Sequence, residues 1–390
     1  MNIRILPLLL FPFFLTIACS DDDPAGTPQA RSLYYVIQSA DGEDGLYRYD
    51  IDADRQHLQT TETVTWLSQV AKNGIVIYET ANGSTRNLWG RCEGGEILPV
   101  PMPVAEDPSN EFIYGREKAA LSHEGHHLAF TAWHRPLGAT DSTLWKLYLC
   151  VFDCGVWKMD KTEIGSVVED YYADSASFAP THLIPLWMGI STDGSTVAME
   201  MFVLDRQADG TQHHRHLMLG GTLDQFHILT DLPVHTSPRY LFDPVTAEIL
   251  FSDGRIFDCR DGSERFGTDM GSPGARIGNW ETERILTAGS REVALSAGLY
   301  GATQLFRPLD GRVHEVPTLG EDLRVQYPEL RFSSTNVWRR LSPDGTWLAV
   351  SVPRDEDQML FVIRRDGTDL RLVTTGNFEL PFVVSDVAPY

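Results

Sequence analysis

The sequence predicts an all-β chain folded as a β-propeller of seven four-stranded blades, and three observations predict it. A unit of four short apolar strands separated by turns recurs along the chain. The second strand of several units is apolar on both faces, as in Ile75-Val76-Ile77-Tyr78, Ile249-Leu250-Phe251 and Trp347-Leu348-Ala349-Val350. Beyond the N-terminus, no window of about eleven residues keeps the 3.6-residue apolar period of a helix. Strands of a two-layer sandwich alternate one buried and one wet face. Blades packed side by side bury both faces of their sheets, as continuous apolar runs require.

The clearest unit is LSPDGTWLAVSVPRDEDQMLFVIRRDGTDLRLVTT, Leu341 to Thr375. Degraded copies precede it. Unit one starts at SLYYVIQS and continues as GLYRYDIDADRQHL; unit two reads KNGIVIYET from Lys72, then NLWGRCEGGEIL. Unit three is LSHEGHHLAFTAW from Leu121 with LWKLYLCVFDCGVWKM, and unit four ISTDGSTVAMEMF from Ile190 with HLMLGGTLDQFHILT. Unit five is LFDPVTAEILFSDGRIFDCRDGSERF from Leu241; unit six is NWETERILTAGS with QLFRPLDGRVHEV from Gln304. Turn residues fall near positions 31, 74, 125, 194, 247, 283 and 345. Periods of about forty to sixty residues with four strands each read as blades. The strands themselves are Val, Ile, Tyr and Phe runs bounded by Gly, Asp and Pro.

Unit one lacks a first strand, and GNFELPFVVSDVAPY at 376–390 has strand content without a unit. The C-terminal segment is therefore expected to complete blade one and close the ring, removing free edges. A six-bladed ring, with unit one or six absorbed by a neighbour, is the alternative. Each unit needs its neighbours to cover it, so residues 32–390 form one domain.

The N-terminus, MNIRILPLLLFPFFLTIACSDDDPAG, reads as a targeting segment. Arg4 supplies the positive start, and the apolar core from Ile5 to Ile17 is too short and Pro-broken to span a bilayer. Small residues then lead into Cys19. The arrangement resembles a bacterial lipoprotein signal, with Thr16 where such signals usually carry Leu. The resemblance implies a leader at 1–18, lipidation of Cys19 and an acidic flexible tether at 19–31. Ser20-Asp21-Asp22-Asp23 resembles the tract of surface-exposed lipoproteins. The implied address is the bacterial outer membrane, on the cell surface or the periplasmic face. Two or more acyl chains hold a protein stably on a membrane.

Removal of residues 1–18, which hold one arginine, leaves 31 basic against 54 acidic residues, a net charge of −23. Such a surface repels nucleic acid and anionic headgroups. Cys92, Cys150, Cys154 and Cys259 form no CxxC pair, and no Cys/His spacing suits zinc. No metal and no cofactor are expected, and pairing of these cysteines is left open.

The motif SPDGTWLAVS followed by MLFVIRRDGTDLRLVTT resembles a repeat of the TolB-like β-propellers. It is carried by Ser342, Pro343, Asp344, Gly345, Ala349, Leu360, Phe361, Val362, Asp366, Gly367 and Leu372-Val373-Thr374. Units three and four match in part, and the others only by shape. The Asp and Gly serve the turn: Asp bonds its own backbone and Gly takes the positive φ. The resemblance implies the fold and is nearly silent on function, because the superfamily includes envelope scaffolds, peptidase propellers and sugar-acid lyases.

An up-and-down blade places its first and third turns on one face, and its second turn and outgoing link on the other. The first and third turns are short throughout. Long segments fall in the second class: 133–142 and 205–212 within blades, and 160–185, 262–278 and 319–338 between them. Long loops gathered on one face are where binding usually sits. The candidates there are Trp133, His134, Arg135, Tyr171, Tyr172, Arg239, Tyr240, Tyr327, Trp338 and Arg339. Aromatics beside Arg suit a protein partner or a glycan. His123, His126, His127 and His134, and His213, His214 and His216, form clusters without convergent metal geometry. No Gly-x-Ser-x-Gly elbow occurs, and no room remains for a catalytic domain. The expectation is a monomeric, lipid-anchored envelope module that binds a protein or glycan without catalysis. The alternative is a propeller lyase on uronate-containing glycans, with a His or Tyr base and an Arg neutralising the uronate.

Overall fold

The computed structural model describes residues 31–384, apart from 38–44, 69–70, 72–74, 83–84, 92–96, 139–145, 154–157, 174–179, 207–210, 234–239, 252, 268–284, 298–301, 309–311, 317–320, 331–337, 355–356 and 377. The leader, Cys19, the tether up to residue 30, Cys92, Cys154 and Arg239 lie outside the described residues.

Seven antiparallel sheets follow one another along the chain. Blade 1 begins with β1 (Ser32–Ile37), β2 (Gly45–Asp50) and β3 (Arg55–Thr60). Blade 2 holds β4 (Val64–Leu67), β5 (Val76–Asn82), β6 (Thr85–Arg91) and β7 (Ile97–Pro99). Blade 3 holds β8 (Asn110–Leu121), β9 (His127–Pro136), β10 (Lys146–Asp153) and β11 (Lys158–Glu163), and helix α1 (Ile164–Tyr172) leads out of it. Blade 4 holds β12 (Pro180–Ile190), β13 (Val197–Arg206), β14 (Gln212–Thr222) and β15 (Gln225–Pro233). Blade 5 holds β16 (Tyr240–Asp243), β17 (Glu248–Phe251), β18 (Arg255–Asp258) and β19 (Glu264–Phe266). Among the described residues blade 6 has three paired strands, β20 (Val293–Ala297), β21 (Ala302–Arg307) and β22 (Arg312–Glu315), then helix α2 (Glu321–Gln326). Blade 7 holds β23 (Trp338–Leu341), β24 (Trp347–Arg354), β25 (Asp357–Arg364) and β26 (Arg371–Gly376). The last strand, β27 (Phe378–Val384), pairs antiparallel with β1, placing Val384 opposite Leu33 and Phe378 opposite Ile37.

Hydrophobic clusters lie at every junction between consecutive blades, and between blade 7 and blade 1. Strand β24 shows why both its faces are apolar. Leu348, Val350 and Val352 pack toward blade 6, while Trp347 and Ala349 pack toward Leu33, Tyr35 and Tyr49 of blade 1. Alternation of side chains along a strand divides one apolar run between two neighbours. Each such fully buried Leu or Val side chain contributes about 1.5–3 kcal/mol.

The Ser-Pro-Asp-Gly turn is a hydrogen-bonded unit. Ser342 Oγ accepts from the backbone of Trp347 at 2.9 Å and donates to Asp344 Oδ1 at 2.5 Å. The amide of Gly345 donates to Ser342 O at 2.7 Å, and Gly345 sits at φ +74°. Ser191, Asp193 and Gly194 repeat the design in blade 4. These turns also touch one another around the ring. Thr192 N donates to Pro244 O at 2.9 Å, and Gly289 N donates to Pro343 O at 2.8 Å. Arg291 bonds Asp243 across blades 5 and 6, and Arg365 bonds Glu292 across blades 6 and 7.

Three expectations need correction. Among its described residues the segment 160–185 is not a loop: it holds the end of β11, α1 and the start of β12. The segment from Trp133 likewise continues as strand to Pro136. In unit six the turn lies at Thr287–Glu292 rather than near 283, with Arg291 at φ +55°, and the strand after it is Val293–Ala297. Thr287 and Arg291 do there what Ser and Gly do elsewhere, so the motif is disguised.

Candidate functional site

The blades are unequal, and the inequality is one-sided. Counted from the matching turns at Ser191 and Asp243, β17 reverses after Phe251, whereas β13 runs on to Arg206. At about 3.3 Å per residue, that places the rim of blade 4 roughly 20 Å beyond that of blade 5. Blade 3 is extended in the same way, with 12 residues in β8 and 10 in β9. The extra length lies on the face of the second turns and links.

Helix α1 crosses the junction of these two blades. Ile164, Val168 and Tyr172 recur every four residues and enter the blade 3–blade 4 core. Tyr172 is 7 % exposed and donates its hydroxyl to Asp231 Oδ2 at 3.0 Å. Arg215 Nη2 donates to the same oxygen at 2.9 Å. Burial, and then the Asp231 charge, raise the Tyr172 phenol far above its usual value, so it remains a donor. Tyr171, the next position round the helix, is 48 % exposed and lies edge-on to Tyr172 with centroids 4.9 Å apart.

Beside α1, the ends of β8 to β11 carry a second group. Arg135 stands opposite Glu111 and donates from Nε to Oε1 at 2.9 Å. His134 lies 4.7 Å from the Phe112 ring, which Tyr148 meets edge-on at 5.4 Å and Lys161 Nζ covers at 4.8 Å. Tyr148 donates to Glu163 Oε2 at 3.0 Å, and Lys146 pairs with Glu163 at 3.1 Å. Burial, and then Glu163, push the Tyr148 phenol up to about 12. Trp133 is half-buried against the blade 3–blade 4 core. Val104, in the link entering β8, and Leu137, at the end of β9, are exposed apolar side chains. The result is an aromatic rim whose charges are largely paired.

A third group lies between blades 4 and 5. The buried Glu200 carboxylate accepts the Tyr240 hydroxyl at 2.9 Å and meets His216 Nδ1 at 3.1 Å. Phe202 stacks on His214, with centroids 5.2 Å apart.

The predicted candidates thus divide. Trp133, His134, Arg135, Tyr171 and Tyr172 gather on one rim, although Tyr172 is core rather than contact surface. Tyr240, 1 % exposed, and Arg339, 5 % exposed, are core positions and not loop residues. Tyr240 reaches back to Glu200, and Arg339 Nε donates to Thr303 Oγ1 of blade 6 at 2.7 Å. Tyr327 packs on Phe361, 5.2 Å between centroids, beyond α2. Trp338 opens strand β23. Glu111, Phe112, Lys161, Arg215 and Asp231 were not among the candidates. The length of the apolar-polar alternation in units three and four is the signal that marks them.

Searches of known proteins bear on the fold. No protein-family model matches the chain, and no curated protein matches it in sequence. Among solved structures, prolyl oligopeptidase B from Galerina marginata is similar at 9 % identity and a TM-score of 0.50, covering 91 % of this chain and 52 % of that one. TolB from Acinetobacter baumannii has 11 % identity and a TM-score of 0.45, over 93 % and 68 % of the two chains. A putative TolB from Agrobacterium tumefaciens has 11 % identity and a TM-score of 0.37, over 90 % of each. The chain is a seven-bladed β-propeller. The propeller spans about half of the prolyl oligopeptidase chain, and at this identity the likeness is one of fold alone.

Proposed function

We propose that this propeller is a binding module of the bacterial envelope, held on the outer membrane by lipid at Cys19, which engages a protein or glycan through the extended rim of blades 3 and 4. The observation that carries the proposal is the one-sided extension of blades 3 and 4, whose rim carries Tyr171, Leu137 and Arg135. Paired charges beside exposed aromatic and apolar area suit a partner with apolar surface and a polar edge. The pairing of β27 with β1 supports closure of the ring by the C-terminal strand. Tyr171→Ala and Arg135→Ala are expected to weaken co-purification of an envelope partner while leaving the fold intact; unchanged recovery sinks the proposal. Cys19→Ser is expected to move the protein from the membrane to the soluble fraction.

A lyase acting on uronate-containing glycans is the second reading: His216 and Tyr240 meet at Glu200, but Tyr240 and Glu200 are buried, so of the three His216 is the group placed nearest a substrate. Ultraviolet absorbance of an unsaturated product, lost in His216→Ala, tests it.

A further inference from the structure

The chain enters the propeller on the face opposite the extended rim. Arg31, just ahead of β1, has both backbone groups bonded at the β2–β3 turn. Its amide donates to Asp52 Oδ2 at 3.2 Å, and its carbonyl accepts from Ile51 N at 2.8 Å. That turn lies beside the matching turns of blade 7. Arg371, just past the third turn of blade 7, donates from Nη1 to Ile51 O, and Trp347, just past the first, packs with Ile51. At the other end of β1, Ile37 lies 3.9 Å from where a Cβ on Gly376, at the outgoing end of β26, would sit. Strand β1 therefore runs from the face of the first and third turns to the face of the second turns and links, and blades 3 and 4 are extended on the latter.

We infer that the propeller stands on its membrane with the face of the first and third turns inward, and presents the rim of blades 3 and 4 away from the lipid. The inference rests on the anchor at Cys19 proposed above and adds the direction in which the rim points. Arg31 lies twelve residues beyond Cys19, and at about 3.3–3.6 Å each these residues span at most about 40 Å in any conformation. Strand β13 alone, ten residues from Val197 to Arg206, places the rim about 33 Å from the opposite face. Turned over, with the rim on the lipid, the disc would hold Arg31 at about that height, and the connecting chain would be drawn close to its full length. Conformational entropy opposes such stretching, and the upright pose does not require it. The rim is then open to a macromolecule standing off the membrane, and turned away from the lipid and from the embedded part of a neighbouring membrane protein.

Energy transfer in phosphatidylcholine vesicles tests this, with the lipid-modified full chain, an acceptor dye on the headgroups, and a fluorescent side chain at position 195 or 171. Ser195 is exposed on the face of the first and third turns and Tyr171 on the rim, both in the blade 3–blade 4 half of the disc. The two positions differ in height by roughly the length of β13, so transfer from 195 is expected to be at least about twice that from 171. Equal transfer, or stronger transfer from 171, overturns the inference. Cys19→Ser, prepared alongside, is expected to leave the vesicles; if it stays bound, the anchor fails and the inference fails with it. Stronger transfer from 171 with Cys19→Ser released defeats the orientation alone and leaves the anchor standing. Binding of a partner at the rim is judged separately, by Tyr171→Ala. Doubling the chain between Cys19 and Arg31 is expected to narrow the difference, and an unchanged difference contradicts a pose set by its reach. Thermal unfolding of each labelled protein reports whether its fold is intact.

Discussion

Tyr172 of helix α1 and Asp231 of β15 are joined by a 3.0 Å hydrogen bond across the junction of blades 3 and 4, and Arg215 completes the group. The bond pins α1 to the extended rim and leaves its neighbour Tyr171 facing outward. A helix of nine residues is marginal by itself, so this anchor and the apolar face of α1 hold Tyr171 in place.

Removal of the phenol oxygen in Tyr172→Phe is expected to cost about 1.5–3 kcal/mol, the usual range for a hydrogen bond to a charged group. Tyr171→Ala, an exposed change, is expected to stay within about 0.5 kcal/mol. Urea unfolding of the two variants checks the contrast, and equal losses contradict the anchoring role.

Gly345 and Gly138 share φ +74° but differ in surroundings. A Cβ on Gly345 would lie 2.5 Å from Ser290 Oγ in the next blade, whereas one on Gly138 would meet nothing within 4 Å. Gly138→Ala therefore reports backbone strain alone, about 1 kcal/mol. Gly345→Ala adds the clash and is expected to cost at least twice as much, with part recovered in the double variant carrying Ser290→Gly. Thermal denaturation decides, and equal costs at the two glycines contradict the interlocking of turns.

Asp193 titrates inside its turn. Burial raises its pKa, but hydrogen bonds from Ser191 and Ser195 outweigh burial and hold it below the usual carboxylate value. A depressed folded value means that the unfolded chain binds the proton more readily. The stability contributed is full above the unfolded pKa, about 3.9, and is lost as pH falls through the folded value. Asp193→Asn should lower the melting temperature at neutral pH and flatten its decline below about pH 4. A decline parallel to the parent protein contradicts the assignment.

Much of this fold is legible in the residues, because inter-blade burial writes itself as two-sided apolar runs. Ile75-Val76-Ile77-Tyr78 and Trp347-Leu348-Ala349-Val350 read as strands that divide their side chains between two neighbours, and they do so. Blade 6 is less legible because Thr287 and Arg291 replace the Ser and Gly of the turn. Helix α1 escapes a periodicity search because its apolar face holds only Ile164, Val168 and Tyr172, too few to stand out. Arg339 and Tyr240 mislead for a different reason. Each adjoins a long link in sequence yet enters a strand at once, where a polar atom can be buried against Thr303 or Glu200. Burial of a polar side chain depends on partners distant in sequence, and no local pattern announces them.

The most direct test of the extended rim places a photo-crosslinking side chain at position 171 or at position 195 of the same blade pair, in cells producing the full chain. Position 195 lies in the short-turn face, so both sites are exposed but on opposite rims. A discrete cross-linked species from position 171 and none from position 195 is the predicted result. Cross-linking from 195 alone, or from neither, contradicts a partner seated on blades 3 and 4.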